Sequence, residues 1–283
     1  MIVKAFAKIN LSLNIIDKTE DNYHNLESVV LPLKLHDVIE VLPLKGDYIY
    51  DSIICDSFTL KATKYNLCAK AINYLRDKFH FKEYFQVIIH KDIFVQAGLG
   101  GGSSDAAAVI KCVQKILNLP INDELLAEMT GEIGCDVPFF LKNEPCVLTG
   151  LGEKLEPIQS KLKCYVLLVK PKEGLATIET FGAFDEKGVK SEPKSEQIKE
   201  CLAENNLLGL KDLIKNDLQD VAEELVPDIK TIRESLVNDG FEIVQMTGSG
   251  STVFALSTNK KMVKKAEKKY ATLGYDTAIT KLL

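Results

Sequence analysis

Hydrophobic and polar residues alternate at the start of the chain. Every odd position from 3 to 15 carries an apolar residue, whereas Lys8 and Asn10 lie on the opposite face. A period of two predicts a β-strand whose apolar face packs on a core. Taken alone, the polar face is typical of a sheet surface that contacts solvent, so it indicates no function by itself.

Apolar residues at helical spacing follow in two segments. They predict helices over 66–79 and 103–120, and the second helix is expected to start with Ser103 or Ser104 as its cap and to end at Pro120. The other elements predicted in this half are a short helix over 123–134 and strands over 29–44, in one or two pieces, and over 84–90.

The composition turns polar over 153–163. We therefore predict a boundary near residue 158, with domains over 1–158 and 159–283. Residues 183–200 are rich in Lys, Glu and Ser, and they predict an exposed loop that leads into helices. The remaining predicted elements are strands over 164–171, 241–246 and 252–256, a helix over 260–274 and a final strand.

Composition narrows the class of protein. The 283 residues are 46% hydrophobic and 27% charged, which is typical of one or two globular domains. A formal net charge of −5 gives no electrostatic reason to expect a nucleic-acid partner. No apolar run approaches the ~20 residues of a membrane span, and the first residues lack a secretory pattern. We therefore expect a cytoplasmic protein without a membrane partner.

Cysteine and histidine spacing argues against a protein-held metal. The seven cysteines are dispersed without a C-x-x-C pair, which is typical of reduced thiols. The four histidines show no spacing of the H-x-x-x-H or H-E-x-x-H type. We therefore expect no permanent catalytic metal.

The densest glycine cluster lies in QAGLGGGSSDAAA, over 96–108. A dinucleotide fingerprint that starts at Gly98 would need glycine at position 103, where the chain has Ser103. A P-loop would need a lysine after the glycines, and a protein kinase would need later H-R-D and D-F-G motifs; the chain has neither.

The physics shared by these glycine loops still applies to this segment. Consecutive glycines let backbone N–H groups converge on an anion, and the helix that follows directs its positive end at the same place. The order strand, glycines, helix therefore predicts a phosphate site. A second glycine loop, TGSGS over 247–251, is either a plain hairpin or part of that site, if it lies close to the first loop.

Three segments in order resemble the motifs of the GHMP kinases, the small-molecule kinase family of galactokinase, homoserine kinase and mevalonate kinase. KAFAKINLSL at 4–13 is similar to the first motif, AGLGGGSSDAA at 97–107 to the second and MTGSGSTVFAL at 246–256 to the third. The resemblance implies an α+β fold of two domains. The N-terminal domain would be like ribosomal protein S5 domain 2, and the C-terminal domain would be ferredoxin-like.

A finer resemblance rests on YHNLES at 23–28, GCDVPFFL at 134–141 and GLGEKLEPI at 150–158. These segments are similar to the branch of the family that phosphorylates the 2-hydroxyl of cytidine diphosphate-methylerythritol, in the non-mevalonate route to isoprenoid precursors. Two positions depart from the family pattern, which has glycine where this chain has Asn22 and proline where it has Phe94. Asparagine tolerates the left-handed backbone conformation that such a glycine supplies.

The resemblance implies that Lys8 and Asp136 are the catalytic pair. Asp136 would orient or deprotonate the acceptor hydroxyl, and Lys8 would stabilise the developing negative charge, as phosphoryl transfer requires. As a bare pattern, an aspartate before Val-Pro is equally typical of a helix cap. ATP would be the donor, with Mg²⁺ carried on the nucleotide. The residues implied at its phosphates are Phe94, Val95, Gln96, Ala97, Gly98, Leu99, Gly100, Gly101, Gly102, Ser103 and Ser104.

Further residues receive roles from the same resemblance. Asn66 and Lys91 would lie near the adenosine, although a lysine at the end of a strand is also typical of an exposed surface. The residues implied at the acceptor are Asn10 on the methylerythritol hydroxyls, Tyr23 and His24 on the cytidine, Thr177 as a hydroxyl contact and Phe181 as a second aromatic on the base.

Three alternatives stay open at this point. The chain could be another GHMP kinase with a homoserine- or mevalonate-type acceptor. It could be a GHMP-fold nucleotide sensor without catalysis, although the presence of both Lys8 and Asp136 argues against that. A simple nucleotide-binding module would leave the Tyr23-His24 segment unexplained.

Overall fold

A computed structural model describes residues 1–56, 66–122, 125, 128–129 and 132–283. Much of the short helix predicted over 123–134 lies outside the described residues. The strands are β1 (Ile2–Asn10), β2 (Asn14–Lys18), β3 (His24–Pro43), β4 (Ser52–Cys55), β5 (Phe85–His90), β6 (Cys146–Gly150), β7 (Lys154–Pro157), β8 (Tyr165–Lys170), β9 (Ile243–Met246), β10 (Val253–Ser257) and β11 (Asp276–Lys281). The helices are α1 (Leu67–Phe79), α2 (Gly101–Leu117), α3 (Val137–Lys142), α4 (Thr177–Lys187), α5 (Ser195–Ala203), α6 (Gln219–Leu225), α7 (Asp228–Asn238) and α8 (Lys260–Thr272).

The chain divides by its contacts into two units that are interleaved along the sequence. The first unit comprises Met1–Ala7, Leu35–Ile93 and Gly100–Asn143, and the second comprises Lys8–Lys34, Phe94–Leu99 and Glu144–Leu283. The division into domains over 1–158 and 159–283 stays a prediction.

In the first unit, β5 pairs antiparallel with the second part of β3 and parallel with β4. Helices α1 and α3 both pack on α2. Ala106, Ala107 and Ala108 are all buried on α2, and their small side chains allow close approach of the neighbouring elements. Because β5 leads into the glycine loop and α2 follows it, these elements position the predicted phosphate site.

In the second unit, the first part of β3 pairs antiparallel with β2 and β6, and β6 pairs with β7. A separate sheet has the strand order β11-β8-β10-β9 and is antiparallel throughout. Helix α8 packs on β8, β10 and β11, and α7 packs on β9 and β10. Alternate residues of this sheet, such as Leu167 and Val169, enter a core with Ile232 of α7 and Val263 of α8.

Three sequence predictions about these elements were wrong. The strand predicted over 3–15 is divided into β1 and β2. Its polar face is not exposed, because Lys8 and Asn10 keep only 6% and 4% of their surface. The exposed loop predicted over 183–200 is largely the end of α4 and most of α5. These helices bury few residues, such as Phe184 and Ile198, so charged side chains dominate the local composition.

Candidate active site

The glycine loop starts α2 differently from the prediction. Gly100 is the N-cap residue, in the left-handed region with φ +71°, and α2 begins at Gly101. Neither serine is the cap, because the left-handed turn at Gly100 starts the helix before Ser103 is reached. The Ser104 hydroxyl instead donates to the carbonyl of Phe6 at 2.7 Å. Glycine at the cap and in the first turn adds no side chain of its own over the unpaired N–H groups of α2, and such groups bind anions.

Two other helix starts of the first unit lie close to the start of α2. A Cβ placed on Gly102 would lie 3.5 Å from Leu67 Cδ1, in the first turn of α1. A Cβ placed on Gly134 would lie 3.5 Å from the Ser103 hydroxyl and 3.9 Å from the same Leu67 atom. The side chain of Asn66 caps α1 by accepting from the Cys68 N–H at 2.9 Å.

Asp136 is the N-cap residue of α3, so the predicted helix start is confirmed there. Its carboxylate makes no cap hydrogen bond to this helix, whose N1/N2 positions include a proline that lacks an N–H. Asp136 therefore occupies the cap position through its backbone, and its role toward the acceptor stays a prediction.

Lys91 is not the exposed lysine that its place at the end of a strand suggests. Its ammonium donates to Asp37 and, at 2.9 Å, to Asp105, and only 5% of its side chain is exposed. Burial disfavours the charged ammonium, but the two carboxylates outweigh it and raise the pKa of Lys91. Burial raises the pKa of Asp105 well above its ordinary value, even though Lys91 acts in the opposite direction.

In the second unit, the segment of β1 that contains Lys8 contacts both glycine loops, and the two loops contact each other. The Lys8 ammonium donates to Asn10 Oδ1, and the Lys8 backbone N–H donates to the carbonyl of Leu99 in the glycine loop at 3.1 Å. The Asn10 backbone N–H donates to the hydroxyl of Thr247 in the second glycine loop at 2.9 Å. The side-chain amide of Asn10 donates to the Ser28 hydroxyl at 2.7 Å. A buried polar network therefore fixes the Lys8 and Asn10 side chains.

The two glycine loops touch through their backbones. A Cβ placed on Gly98 would lie 2.1 Å from the carbonyl oxygen of Thr247, and one placed on Gly248 would lie 2.9 Å from the carbonyl oxygen of Gly98. Neither position tolerates a side chain without movement. The second glycine loop therefore lies close to the first, as it must if it is part of the predicted phosphate site. Asn216 stabilises the second glycine loop, because its side-chain amide donates to the backbone carbonyls of Met246 and Gly248.

Two of the three residues implied at the acceptor base, His24 and Phe181, lie together in the second unit. The rings of His24 and Phe181 are 4.9 Å apart between centroids, with an interplanar angle of 32°. Tyr23, which directly precedes His24 in the sequence, is 60% exposed, and Asn22 adopts the left-handed backbone expected of it, with φ +63°. The Thr177 hydroxyl lies 3.0 Å from the hydroxyl of Ser249, so it adjoins the second glycine loop.

Asp185 is a residue that the sequence analysis missed. One of its carboxylate oxygens lies 2.7 Å from His24 Nε2, and the other accepts from Lys18 at 2.7 Å. The hydrogen bond from Lys18 is the largest influence that lowers the pKa of Asp185, and His24 lowers it further. Asp185 lies one helical turn after Phe181 on α4, so an i, i+4 search from Phe181 could have found it.

Among residues 1–56, 66–122, 125, 128–129 and 132–283, no group of three or more His, Cys, Asp or Glu side chains could hold a metal ion. Within the same ranges, no helix has both the length and the apolar character needed to cross a bilayer.

Two family models match the chain. The model of the GHMP kinases N terminal domain matches residues 66–144, and that of the GHMP kinases C terminal matches residues 194–276. The first match contains the start of α2 and Asp136, and the second contains the second glycine loop.

Relatives match over nearly the whole chain. The 4-diphosphocytidyl-2-C-methyl-D-erythritol kinase of Caldanaerobacter subterraneus subsp. tengcongensis is 36% identical over 254 residues, which cover 90% of this chain and 87% of the relative. The protein of the same name from Bacillus cytotoxicus is 36% identical over 256 residues, with coverage of 90% and 88%.

Solved structures agree with these matches. A 4-(cytidine 5′-diphospho)-2C-methyl-D-erythritol kinase has a TM-score of 0.81 and 26% identity, covering 100% of this chain and 99% of its own. A homoserine kinase from Cytophaga hutchinsonii has a TM-score of 0.73 at 13% identity, with coverage of 100% and 94%, which shows a shared fold alone. These matches confirm the α+β GHMP kinase fold.

Proposed function

Because the chain belongs to the GHMP kinase family, we propose that it transfers the γ-phosphoryl group of ATP to the 2-hydroxyl of 4-diphosphocytidyl-2-C-methyl-D-erythritol. The observation that carries this proposal is the contact of the three motifs: Lys8 and Asn10 bond to the first glycine loop at Leu99 and to the second at Thr247. Relatives of that name, 36% identical over 90% of the chain, support the choice of acceptor over homoserine or mevalonate.

For the donor, we propose that the segment Phe94–Ser104 binds the phosphates of ATP. Its support is the left-handed turn at Gly100 and the glycines at the start of α2, an arrangement that is typical of backbone N–H groups that bind an anion. Asn66 lies at the neighbouring start of α1, which supports its place near the nucleotide. Lys91 is engaged by two carboxylates, so we propose that it acts on the loop rather than directly on the adenosine.

For the chemistry, we propose that Asp136 orients the acceptor hydroxyl and receives its proton, and that Lys8 stabilises negative charge on the reacting oxygens. The burial of Lys8 and its bond to Asn10 hold the ammonium in one place, which electrostatic stabilisation requires. Mg²⁺, when bound with ATP, offsets charge on the phosphate oxygens. Among the described residues, no group of three or more His, Cys, Asp or Glu side chains could hold the ion, so we propose that the nucleotide phosphates hold it.

For the acceptor, we propose that Tyr23 and Phe181 supply aromatic faces for the cytosine and that His24 hydrogen-bonds to its edge. Bases stack well on exposed aromatic rings, and Tyr23 is exposed. Asn10 would bind the methylerythritol hydroxyls from its position beside Lys8. Thr177 would contribute a hydroxyl from the start of α4. Both substrates are small charged molecules, and we propose that the protein acts on them in the cytoplasm.

The assay that tests the function is ATP-dependent phosphorylation of three acceptors by the purified protein. We expect 4-diphosphocytidyl-2-C-methyl-D-erythritol to be converted to its 2-phosphate, detected by phosphorus NMR, with homoserine and mevalonate at least a hundredfold slower in kcat/KM. Discrimination of this size is reasonable because these acceptors lack the base that the Tyr23, His24 and Phe181 group would bind. A preference for homoserine or mevalonate would reassign the acceptor, and ATP binding without transfer to any acceptor would favour a sensor.

Asp185→Ala is expected to raise the KM for the cytidine-containing acceptor roughly three- to tenfold, with the KM for ATP unchanged. When Nε2 of a neutral His24 donates to Asp185, Nδ1 of the ring is left as a hydrogen-bond acceptor. The Asp185 carboxylate therefore determines which hydrogen bond the ring can make to a base. Steady-state kinetics with each substrate varied in turn measures both constants.

Lys187→Ala is the matched control for Asp185→Ala. Lys187 lies on the same helix and forms an exposed ion pair with Glu224, away from His24. We expect both KM values of this variant to equal those of the wild type, because exposed ion pairs contribute little. If Asp185→Ala and Lys187→Ala give the same acceptor KM, the role assigned to Asp185 is wrong.

A further inference from the structure

A buried carboxylate fixes the segment that leads into the glycine loop. Asp37 lies in β3 with its residue fully buried, and its Oδ1 accepts from the backbone N–H groups of Asp92 at 2.7 Å and Ile93 at 2.8 Å. These two residues connect the end of β5 to Phe94. Asp37 therefore holds the backbone on the N-terminal side of the loop through two charge-assisted hydrogen bonds.

Lys91 connects Asp37 to the helix that follows the glycine loop. Its ammonium joins the second oxygen of Asp37 to Asp105, which lies in the second turn of α2. A Cβ placed on Gly101 would lie 3.2 Å from the Lys91 nitrogen, so the ammonium also adjoins the first residue of α2. The three side chains thus link the residues before the loop to the helix after it.

The stability of the folded protein does not by itself explain why these three charged side chains are buried together. Two carboxylates share one ammonium in a buried place, and Oδ1 of Asp105 has no hydrogen-bond partner among the described residues. Burial raises the pKa of Asp105, which means that ionising it in the folded protein is unfavourable. Buried ion clusters are often no more stabilising than apolar residues of the same volume, although they do specify geometry.

We propose that Asp37 is a positioning residue for nucleotide binding, which acts with Lys91 and Asp105 to fix the two ends of the glycine loop relative to each other. The inference rests on the proposed function, since it takes the segment Phe94–Ser104 as the phosphate site. Asp37 itself would not contact the substrates. The loop has to present its N–H groups in one arrangement, and preorganisation of this kind increases affinity by removing the ordering cost on binding.

The chain offers a matched control at the opposite end of β5. Asp51 accepts from both Arg76, at 2.9 Å to each oxygen, and the Phe85 backbone N–H at 2.8 Å. It is thus a partly buried carboxylate that, like Asp37, accepts from a cation and from a backbone N–H at one end of β5. Asp51→Ala and Asp37→Ala should both lower the thermal midpoint, whereas only Asp37 lies beside the glycine loop.

The test compares the two variants in the full-length protein by calorimetric titration with Mg²⁺ and AMPPNP, and by amide hydrogen exchange. We expect Asp37→Ala to weaken AMPPNP binding roughly ten- to a hundredfold and to speed exchange in peptides covering 91–104. Asp51→Ala should leave both unchanged. The KM for the acceptor should be the same in both variants, which separates positioning of the nucleotide from general loss of structure.

Asp37→Asn provides a second variant in case Asp37→Ala does not fold. Its amide oxygen can still accept from the Asp92 and Ile93 N–H groups, but it lacks the charge that holds Lys91, so we expect at least a threefold loss of AMPPNP affinity. Unchanged AMPPNP affinity in either folded Asp37 variant, or equal losses in the Asp51 and Asp37 variants, overturns the inference. Failure of the proposed function is distinguishable, because it would appear as absent phosphoryl transfer by the wild type.

Discussion

Lys8→Met is expected to lower kcat for phosphoryl transfer by about a hundred- to a thousandfold, the usual effect of removing one preorganised donor from developing charge. Methionine keeps an unbranched side chain of similar length, so the buried space around β1 remains filled. If Lys8 acts only on the transition state, kcat and kcat/KM should fall equally, and the KM values should stay near those of the wild type. Steady-state kinetics with ATP and the acceptor measures these constants.

The same substitution removes the donor to Asn10 Oδ1. Leaving that buried oxygen without its partner costs about 1–3 kcal/mol in the free energy of unfolding. Lys4→Met serves as the control, since Lys4 lies on the same strand but is exposed. Its kcat should equal that of the wild type. A Lys8→Met enzyme with more than a tenth of the wild-type kcat would exclude Lys8 from the chemistry.

Gly98→Ala is expected to abolish measurable ATP binding, with a loss of affinity above a hundredfold. Two costs combine at this position. A left-handed backbone with φ +70° costs an alanine about 1–2 kcal/mol, and its Cβ would lie 2.1 Å from the Thr247 carbonyl oxygen. Because the second obstacle is backbone, the two glycine loops must move apart. Titration with Mg²⁺ and AMPPNP measures the binding, and urea unfolding measures the stability.

Gly274→Ala isolates the first of these two costs. Gly274 also has a positive φ, of +91°, but a Cβ there would meet nothing within 4 Å. This variant should therefore lose only about 1 kcal/mol of unfolding free energy and keep its nucleotide affinity. If Gly98→Ala behaves like Gly274→Ala in both measurements, contact between the loops does not support the nucleotide site.

Local patterns in the sequence led to predictions for features formed by residues that are close together in the chain. The spacing of the glycines before α2 was enough to predict a phosphate site and to reject three better-known loops. The position of Asp136 was predicted as a helix start, and α3 begins there. The cap at Ser103 or Ser104 was wrong, because the left-handed conformation at Gly100 is a property of the folded loop that residue preferences do not reveal.

Partners that are distant in the chain could not be predicted in the same way. Asp37 and Lys91 are 54 positions apart, and His24 and Asp185 are 161 positions apart, so no periodicity connects either pair. The polar face of β1 was interpreted as solvated, because an isolated strand gives no sign of what covers it. Its burial follows from the folded chain, where Asn10 bonds to Thr247, 237 positions later.

The interleaving of the two units has a consequence for exchanging parts between relatives. The chain passes from one unit to the other five times, after Ala7, Lys34, Ile93, Leu99 and Asn143. A chimera that keeps residues 1–143 and takes the remainder from another kinase would therefore divide the second unit between two parents. Its Asn10 would have to bond to a foreign counterpart of Thr247, and its His24 to a foreign counterpart of Asp185. Transferring the proposed acceptor site to another kinase therefore requires both parts of the second unit together.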